Sequence, residues 1–143
     1  MTTLDLTLRR VGPVQFEASD ARGHRVLVEG STELGGRDEG MRPMEMFLVA
    51  LASCSAIDVV HILERKQKHT LEQLVVRVRG VRADAVPAVF TEVELAFEAT
   101  GNMSEKKLAR AVALSVEKYC SVTRMLEGNV VVRHTYRLSP SAG

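Results

Sequence analysis

The amino-acid sequence predicts an α+β fold whose elements follow the order β-β-β-α-β-β-α-β. Short runs in which apolar and polar residues alternate predict the strands, and one long apolar stretch and one amphipathic stretch predict the two helices. The order contains no βαβ crossover fingerprint. At 143 residues the chain has the length of one compact domain, so we expect a single domain over residues 1–143.

The first three strands are predicted from a period of two near the N-terminus. Leucines at positions 4, 6 and 8 alternate with polar residues, which is typical of a strand with one buried face. Gly12-Pro13 ends this strand, and a second alternating run covers residues 14–19. A turn at residues 20–23 leads to a third short strand through residues 26–28. Together these runs predict a three-stranded antiparallel meander.

A glycine-rich loop and a long apolar helix are predicted next. Residues 30–42 contain four glycines and no periodicity, so they form a loop that Pro43 closes by occupying the first turn of a helix. The helix is expected to run from Pro43 to about Lys68. Its first two thirds are apolar on every side, which predicts burial between other elements, and the charged residues 64–68 mark a solvated end.

Three further strands are predicted in the second half of the chain. Alternation over residues 74–79 and 92–98 predicts a hairpin whose outward arginines and glutamates pair across the strands. The last strand is expected from Val130 to Leu138, where apolar and polar residues alternate again.

The second helix is predicted between the hairpin and the last strand. Ser104 supplies an N-cap for a helix from Glu105 to Tyr119, and Cys120 lies at its end. The residues that share one face of this helix are Leu108, Val112, Ser115 and Tyr119.

Composition and charge exclude several classes of protein. Hydrophobic residues make up 45% and charged residues 26% of the chain, which is an ordinary balance for a globular protein. The formal net charge of +1 and the scattered lysines and arginines give no basic stripe for a phosphate backbone. Aromatic residues, at 4%, offer few stacking platforms for bases. Nucleic acid is therefore not an expected partner.

The N-terminus and the longest apolar run argue against export and membrane insertion. The opening segment MTTLDLTLRR alternates instead of forming a secretory signal. The run from Met46 to Leu63 contains Asp58 and His61 and is interpreted as a buried helix, so no membrane partner is expected. A cytoplasmic location is the resulting expectation.

The two cysteines, Cys54 and Cys120, are the candidates for chemistry. On a helix that advances about 100° per residue, Cys54, Asp58 and His61 lie at i, i+4 and i+7 and share one stripe. Each also has a structural interpretation: Cys54 as a small buried hydrophobe, Asp58 as a capping or bridging carboxylate, and His61 as a hydrogen-bonded core histidine. Both interpretations stay open at this point.

Missing motifs narrow the chemistry. The sequence has no CxxC or HExxH spacing for zinc and no GxSxG elbow for a serine hydrolase, so no metal or cofactor is expected. A cysteine-histidine acyl transferase would pair Cys54 with His61, but both project from the same helix stripe. The remaining chemistry uses both cysteines: one thiolate is oxidised to a sulfenic acid, and the other thiol condenses with it to a disulfide. Such a thiolate needs a nearby cation or helix dipole, and Arg37 and Arg42 precede the helix.

Two cysteine-containing segments resemble a known family. The segment GMRPMEMFLVALASCSAIDVVHIL, together with LARAVALSVEKYCSV further along the chain, is similar to the OsmC/Ohr family of small thiol-dependent peroxidases. The YhfA-like branch is the most similar, and the resemblance extends over nearly the whole chain, including the hairpin VPAVFTEVELAFEATG. It implies an OsmC-like α+β fold in which two subunits intertwine as a homodimer, with the cysteine helices buried and the active sites at the dimer interface.

The resemblance also implies roles for the cysteines. Cys54 corresponds to the peroxidatic residue and Cys120 to the resolving residue. The implied substrates are organic hydroperoxides, the implied reductant is a dithiol such as a lipoylated protein, and the implied biological role is defence against oxidative stress.

An activating arginine held by a glutamate is a further implication. In the better-characterised branches this glutamate directly follows the helix-starting proline. Here Met44 follows the proline and Glu45 comes next, which turns the side chain by about 100°. Arg42 and Glu45 are the candidate pair, and the other arginines considered are Arg37 and Arg10.

A function of a different class is a non-enzymatic binding module. The displaced glutamate favours this alternative. In it, an apolar pocket at the dimer interface holds a hydrophobic small molecule, and Cys54 merely lines the pocket.

Overall fold

The computed structural model describes residues 1–65 and 70–141 and confirms the predicted α+β fold. In chain order the elements are β1 (Leu6–Gly12), β2 (Gln15–Asp20), β3 (Arg25–Glu29), a 3-10 turn (Thr32–Leu34), α1 (Pro43–Leu63), β4 (Leu71–Arg82), β5 (Phe90–Gly101), α2 (Glu105–Leu114), a π-helical turn (Ser115–Tyr119), α3 (Ser121–Leu126) and β6 (Val131–Ser139). The chain divides into two compact units, Met1–Phe47 and Leu48–Gly143. A single domain over residues 1–143 stays a prediction.

The first unit contains the predicted antiparallel meander, with β2 between β1 and β3. The leucines near its N-terminus are not buried as predicted: Leu6 is 65% exposed, Leu8 is 61% exposed, and Leu4 precedes the strand. The prediction is wrong for the single chain because alternation shows which side chains share a face, but not whether a second layer covers that face.

The predicted turn after β2 is held by one carboxylate. The Asp20 side chain accepts the backbone N–H groups of Arg22 (2.9 Å) and His24 (3.0 Å). Its hydrogen bond with the His24 ring at 2.9 Å contributes most to lowering the pKa of Asp20 to about 2, against the opposing effect of burial. The turn therefore keeps its acceptor ionised at neutral pH.

The glycine-rich loop is confirmed and is held by a buried carboxylate. Glu29, which is 1% exposed, accepts the backbone N–H groups of Arg37 (2.6 Å), Glu39 (2.7 Å) and Gly40 (3.0 Å). The Arg37 donor contributes most to lowering the pKa of Glu29, and the donors together outweigh the burial that would raise it. An ionised side chain at the end of β3 thus fixes residues 37–40.

Replacing Glu29 with glutamine is expected to lower the melting temperature at neutral pH, because the amide turns one acceptor oxygen into a donor that faces backbone N–H groups. The folded-state pKa of Glu29 lies below its unfolded-state value. Its contribution to stability is therefore present above the unfolded value of about 4.3 and is lost as pH falls through the folded-state pKa. Thermal unfolding of the two proteins should converge on acidification.

The exposed Glu33 supplies the control, since Glu33→Gln makes the same chemical change on the surface of the 3-10 turn. Equal melting temperatures of wild type and Glu29→Gln at neutral pH would contradict the proposed anchor.

The second unit is built on a mixed sheet with β5 at its centre. β4 and β5 are antiparallel and form the predicted hairpin, across which Arg77 and Glu98 pair at 3.1 Å. Val93, Leu95 and Phe97 of β5 are fully buried and form part of the core of this unit. The alternation predicted for β5 is therefore confirmed together with its buried face.

β6 runs parallel to β5, so the chain does contain a strand-helix-strand crossover. Leu95 lies opposite His134, and Phe97 lies opposite Tyr136. The interpretation that the sequence lacks such a crossover is wrong. Alternation shows which residues share a face but not the direction of a strand, and the helical segment between β5 and β6 is the connection that parallel strands need.

α1 begins at Pro43 as predicted but ends at Leu63, before the predicted end at about Lys68. Its buried side chains are spaced by four residues along one stripe, and the helix ends at the last of them. They are Leu51, Ser55, Val59 and Leu63. Glu64 and Arg65 follow in a turn and a bend, and the rest of the predicted solvated end, residues 66–68, lies outside the described residues.

Only one stripe of α1 is buried in the single chain. Val49 is 40% exposed and Ile57 is 68% exposed, so the predicted burial on every side is wrong for the chain by itself. The described chain covers the buried stripe and leaves the opposite side open. By length and composition α1 also meets the requirements of a membrane span, which core helices of soluble proteins meet as well.

The second predicted helix is divided into α2, the π-helical turn and α3. Leu108, Val112 and Ser115 are buried as predicted, whereas Tyr119 is 50% exposed. The backbone N–H of Cys120 bonds to the carbonyl oxygen of Ser115 at 2.8 Å, which widens this turn by one residue. The extra residue rotates the end of the helix, so Cys120 faces the core and Tyr119 does not.

Candidate active site

Two thiols meet in the second unit. Cys54 lies in the middle of α1 and is partly exposed, whereas Cys120, directly after the π-helical turn, is 1% exposed. Both are free cysteines, and their side chains are near enough for each thiol to shift the pKa of the other. The fold thus brings two residues that are distant in sequence close together.

A buried hydrogen bond fixes the two elements that carry the thiols. The Ser115 hydroxyl donates to the carbonyl oxygen of Ser55 at 2.8 Å, and both serines are fully buried. Ser55 follows Cys54 in α1, and Ser115 begins the turn that leads to Cys120. The bond therefore sets the spacing between the helix of one thiol and the helix end of the other.

The Cys120 sulfur is surrounded by hydrogen-bond donors. Cys120 is the N-cap residue of α3, and its Sγ accepts the backbone N–H of Thr123 at 3.5 Å. The hydroxyl groups of Ser55 and Thr123 and the Cys54 thiol are further donor groups that lie near this sulfur. Burial would raise the pKa of Cys120, but these donors, Ser55 foremost, hold that pKa below the ordinary value for a thiol.

Cys54 has the opposite electrostatic environment. Burial raises the pKa of Cys54, and the Cys120 thiol raises that pKa further. The backbone N–H groups of Val122 and Ser121 act in the other direction without outweighing these effects. When the pair carries one negative charge, the charge rests on Cys120 and the proton stays on Cys54.

A pocket of ≈ 340 Å³ opens beside Cys120. Its walls come from the π-helical turn, α3 and the start of β6, and they carry the cations Lys118 and Arg124 and the carboxylates Glu117 and Glu127. Its apolar part is formed by Val116, Val130 and Val132. The pocket thus has an apolar wall and equal numbers of positive and negative side chains, and it lies next to the buried Cys120 sulfur.

Arg42 and Glu45 lie in the first unit, where they form the start of α1. The Glu45 carboxylate accepts the backbone N–H of Arg42 at 2.9 Å, which is one half of a capping box. The Arg42 guanidinium binds the Asp38 carboxylate at 2.9 Å and the Gly40 carbonyl oxygen at 3.0 Å. The Arg42 guanidinium therefore forms its ion pair with Asp38, whereas Glu45 accepts the Arg42 backbone N–H.

The other two candidate arginines have surroundings of their own. Arg37 is exposed and gives its backbone N–H to Glu29. Arg10 is also exposed, and its Nε donates to the carbonyl oxygens of Gly12 and Pro13, both at 3.1 Å. Both arginines thus contribute to turns of the first unit.

Two further polar side chains from the sequence interpretation, Asp58 and His61, lie in α1, and His134 lies in β6. His61 is exposed, and Asp58 is half-buried with an Oδ2 atom that has no hydrogen-bond partner in the described part of the chain. His134 contacts Glu117 at 3.4 Å. Across residues 1–65 and 70–141, no three His, Cys, Asp or Glu side chains are grouped as a metal site requires.

Sequence reasoning did not identify the residues that act on the Cys120 sulfur. Ser55 and Ser115 are polar residues on helix faces that the sequence marks as buried, and a buried hydroxyl needs a partner. The need of a buried hydroxyl for a partner could therefore have identified Ser55 and Ser115 from the sequence. Thr123 comes three residues after Cys120, which is the spacing between an N-cap residue and the N3 residue of a helix. The sequence shows no apolar periodicity over the short α3, so this helix and its cap were not predicted.

The chain is similar to known proteins over most of its length. The family model described as OsmC-like protein matches residues 36–135. Protein YhfA of Escherichia coli is 40% identical over 124 residues, which cover 86% of this chain and 89% of YhfA. A hypothetical protein from Aquifex aeolicus has a crystal structure with a TM-score of 0.85 and 28% identity, with 99% of each chain covered.

A more distant solved structure shares the fold. It is an organic hydroperoxide resistance protein, OsmC, from Legionella pneumophila. The identity is 22% and the TM-score is 0.68, with 99% of this chain and 98% of the other covered.

Removing the Ser115 hydroxyl is expected to weaken the junction that holds the two thiols. Ser115→Ala should lower the free energy of unfolding by about 1 kcal/mol, because one buried hydrogen bond is lost. Denaturant unfolding measures this change. Ser53→Ala is the matched control, since that hydroxyl donates to the Val49 carbonyl oxygen within α1 at 2.6 Å. Losses of equal size in the two variants would contradict a special role for the junction.

Proposed function

Because the chain belongs to the OsmC-like protein family, we propose that it is a thiol-dependent peroxidase that reduces organic hydroperoxides in defence against oxidative stress. The observation that carries the proposal is the proximity of the Cys54 and Cys120 thiols, which shift each other's pKa. Two neighbouring thiols can deliver two electrons to an oxidant and become a disulfide. The fold shared with an organic hydroperoxide resistance protein supports the same assignment.

We assign the attack on the hydroperoxide to Cys54. Its thiol is partly exposed, whereas Cys120 is buried, and the oxidant must reach the sulfur along the line of its O–O bond. The acidity of the two thiols favours the other assignment, because the pKa of Cys120 is lowered and that of Cys54 is raised. The accessibility of the sulfur decides between the two cysteines, because a thiolate reacts only if the substrate can reach it.

The proposed reaction has an oxidation step and a resolution step. The Cys54 thiolate attacks the distal oxygen of the hydroperoxide, the O–O bond breaks, and the departing alkoxide takes a proton to become an alcohol. Cys54 is then a sulfenic acid. The Cys120 sulfur attacks the Cys54 sulfur, hydroxide leaves and is protonated to water, and a disulfide forms. A dithiol reductant restores both thiols by exchange.

Arg42 and Glu45 are proposed to support the oxidation step. A cation near Cys54 would favour its thiolate, whose pKa is otherwise raised by burial. The Arg42 guanidinium is half-buried and bonded to Asp38, and Glu45 fixes the Arg42 backbone. A guanidinium held in this way is a preorganised charge, which supports the assignment.

We further propose that the active form is a homodimer. Leu6, Leu8 and Val26 are exposed on the sheet of the first unit, and Val49 and Ile57 are exposed on α1. Exposed apolar groups of this kind mark surfaces that bind other proteins. A second copy of the chain is the partner that the resemblance to intertwined dimers implies.

Reduced protein mixed with cumene hydroperoxide is expected to lose both thiols of each chain and to consume one hydroperoxide for each disulfide formed. Cys54→Ser should keep its remaining thiol, because the attacking sulfur is gone. The initial rate of wild type should rise with pH, since the pKa of Cys54 is raised and its thiolate fraction grows as pH approaches that value. Free-thiol counting and stopped-flow peroxide consumption measure these effects.

Ser53→Ala serves as the control for this experiment, because it alters the neighbour of Cys54 on the exposed side of α1. Survival of both thiols in a large excess of hydroperoxide would contradict the peroxidase. In that case a hydrophobic molecule retained by both wild type and Cys54→Ser, seen by intact mass, would identify a binding module.

Leu8→Lys is expected to shift the protein from dimer to monomer in sedimentation velocity, because it places a charge on the exposed apolar face of β1. Thr7→Lys adds the same charge to the opposite face of the strand and is the control. A wild-type protein that sediments as a monomer at micromolar concentration would contradict the dimer.

A further inference from the structure

We propose that Ser55 and Thr123 are positioning residues that place donor groups beside the Cys120 sulfur, so that the Cys54–Cys120 disulfide is opened at the Cys54 sulfur with Cys120 as the leaving thiolate. The inference rests on the proposed function and gives the re-reduction step a direction. It also assigns a role to two hydroxyl groups beside the thiol pair.

Two buried hydroxyl groups lie beside the Cys120 sulfur. The Oγ of Ser55 and the Oγ1 of Thr123 have no partner at hydrogen-bond distance in the described part of the chain, and both act on the Cys120 thiol by lowering its pKa. Buried hydroxyl groups are rarely left unpaired, so the sulfur is the acceptor that their placement requires. The Thr123 N–H donates to the same sulfur at 3.5 Å, so three donor groups from α1 and α3 lie around one atom.

Donors that converge on a sulfur stabilise its thiolate more than its thiol. In the reduced protein their effect is the lowered pKa of Cys120. The same donors act in the transition state in which the disulfide breaks and negative charge develops on Cys120. Cys54, whose pKa is raised, is the poorer leaving group, and exchange is faster when the leaving thiol has the lower pKa.

Access to the two sulfurs favours the same direction. Cys54 is partly exposed on α1, whereas Cys120 is 1% exposed. The incoming thiolate must approach one sulfur in line with the S–S bond. The exposed sulfur is therefore the one attacked, and the buried sulfur, which the donors surround, is the one that leaves.

The exchange balances in two steps. A thiolate of the dithiol reductant attacks the Cys54 sulfur, a mixed disulfide forms, and the bond to Cys120 breaks with its electron pair on Cys120. The second thiol of the reductant then attacks the reductant's own sulfur in the mixed disulfide, and the reductant departs as a cyclic disulfide. Cys54 leaves and takes up one proton. The other proton of the dithiol passes to Cys120 or to solvent.

Charged and titratable groups from the surrounding elements also act on this step. They are Asp58 on α1, Glu117 and Lys118 on the π-helical turn, Arg124 on α3, Glu127 after it, and His134 on β6. The walls of the pocket beside Cys120 carry two cations and two carboxylates, so the formal charges of its lining sum to zero.

The position of the mixed disulfide tests the direction. Diamide forms the disulfide, so the test does not depend on peroxidase activity, and a limiting amount of β-mercaptoethanol opens it. After acid quenching and alkylation, peptide mapping is expected to find the adduct on Cys54 and an alkylated Cys120. An adduct on Cys120 would overturn the proposal.

Variants at the two hydroxyl groups test the positioning role. Thr123→Val keeps the shape of the side chain without the hydroxyl, and it should slow reduction of the diamide-formed disulfide at neutral pH by about three- to tenfold. Ser55→Ala should have the same effect. Thr123→Ser restores the hydroxyl and should restore the wild-type rate, and Ser53→Ala is the control that leaves the Cys120 donors intact.

A pH profile separates positioning from packing. In the Cys54→Ser background, the alkylation of Cys120 should move to higher pH when Thr123→Val is added. A packing defect would lower the melting temperature without moving this profile. Equal reduction rates for wild type and Thr123→Val, or a Thr123→Ser protein as slow as Thr123→Val, would overturn the proposal. Failure of wild type to consume hydroperoxide would count against the peroxidase alone.

Discussion

The hydrogen bond from the Ser115 hydroxyl to the Ser55 carbonyl oxygen joins two segments that lie 60 residues apart in the chain. It is fully buried and stands at the start of the π-helical turn. A regular α-helix would direct Tyr119 inward, but the wider turn directs Cys120 inward instead. The proximity of the two thiols, the acidity of both sulfurs and the pocket beside Cys120 all depend on this junction.

The two sulfurs differ in the properties that a redox pair needs. Cys54 is accessible but has a raised pKa, and Cys120 is buried but has a lowered pKa. Access suits the residue that meets the oxidant and the reductant, and a stabilised thiolate suits the residue that closes the disulfide and leaves when it opens. The raised pKa of Cys54 is also the reason why we propose an activating cation for the oxidation step.

The sequence predicted the parts of the fold that depend on local periodicity. Alternation located the strands, and Pro43 marked the first residue of α1. Three features depend on non-local packing and were not predictable from such patterns: the parallel direction of β6, the wider turn that exposes Tyr119, and the uncovered face that carries Leu8. At the site, the pattern identified the cysteines, but the donors on Cys120 come from Ser55 and Thr123, which are near each other only in the folded chain.

The most direct test of the thiol pair is non-reducing peptide mapping of wild-type protein treated with one equivalent of an organic hydroperoxide. The structure predicts a single new cross-linked peptide that joins Cys54 to Cys120 within one chain, because these sulfurs lie close together before oxidation. Unchanged thiols, or cross-links between Cys54 residues of two chains, would contradict the pair as the unit that reacts.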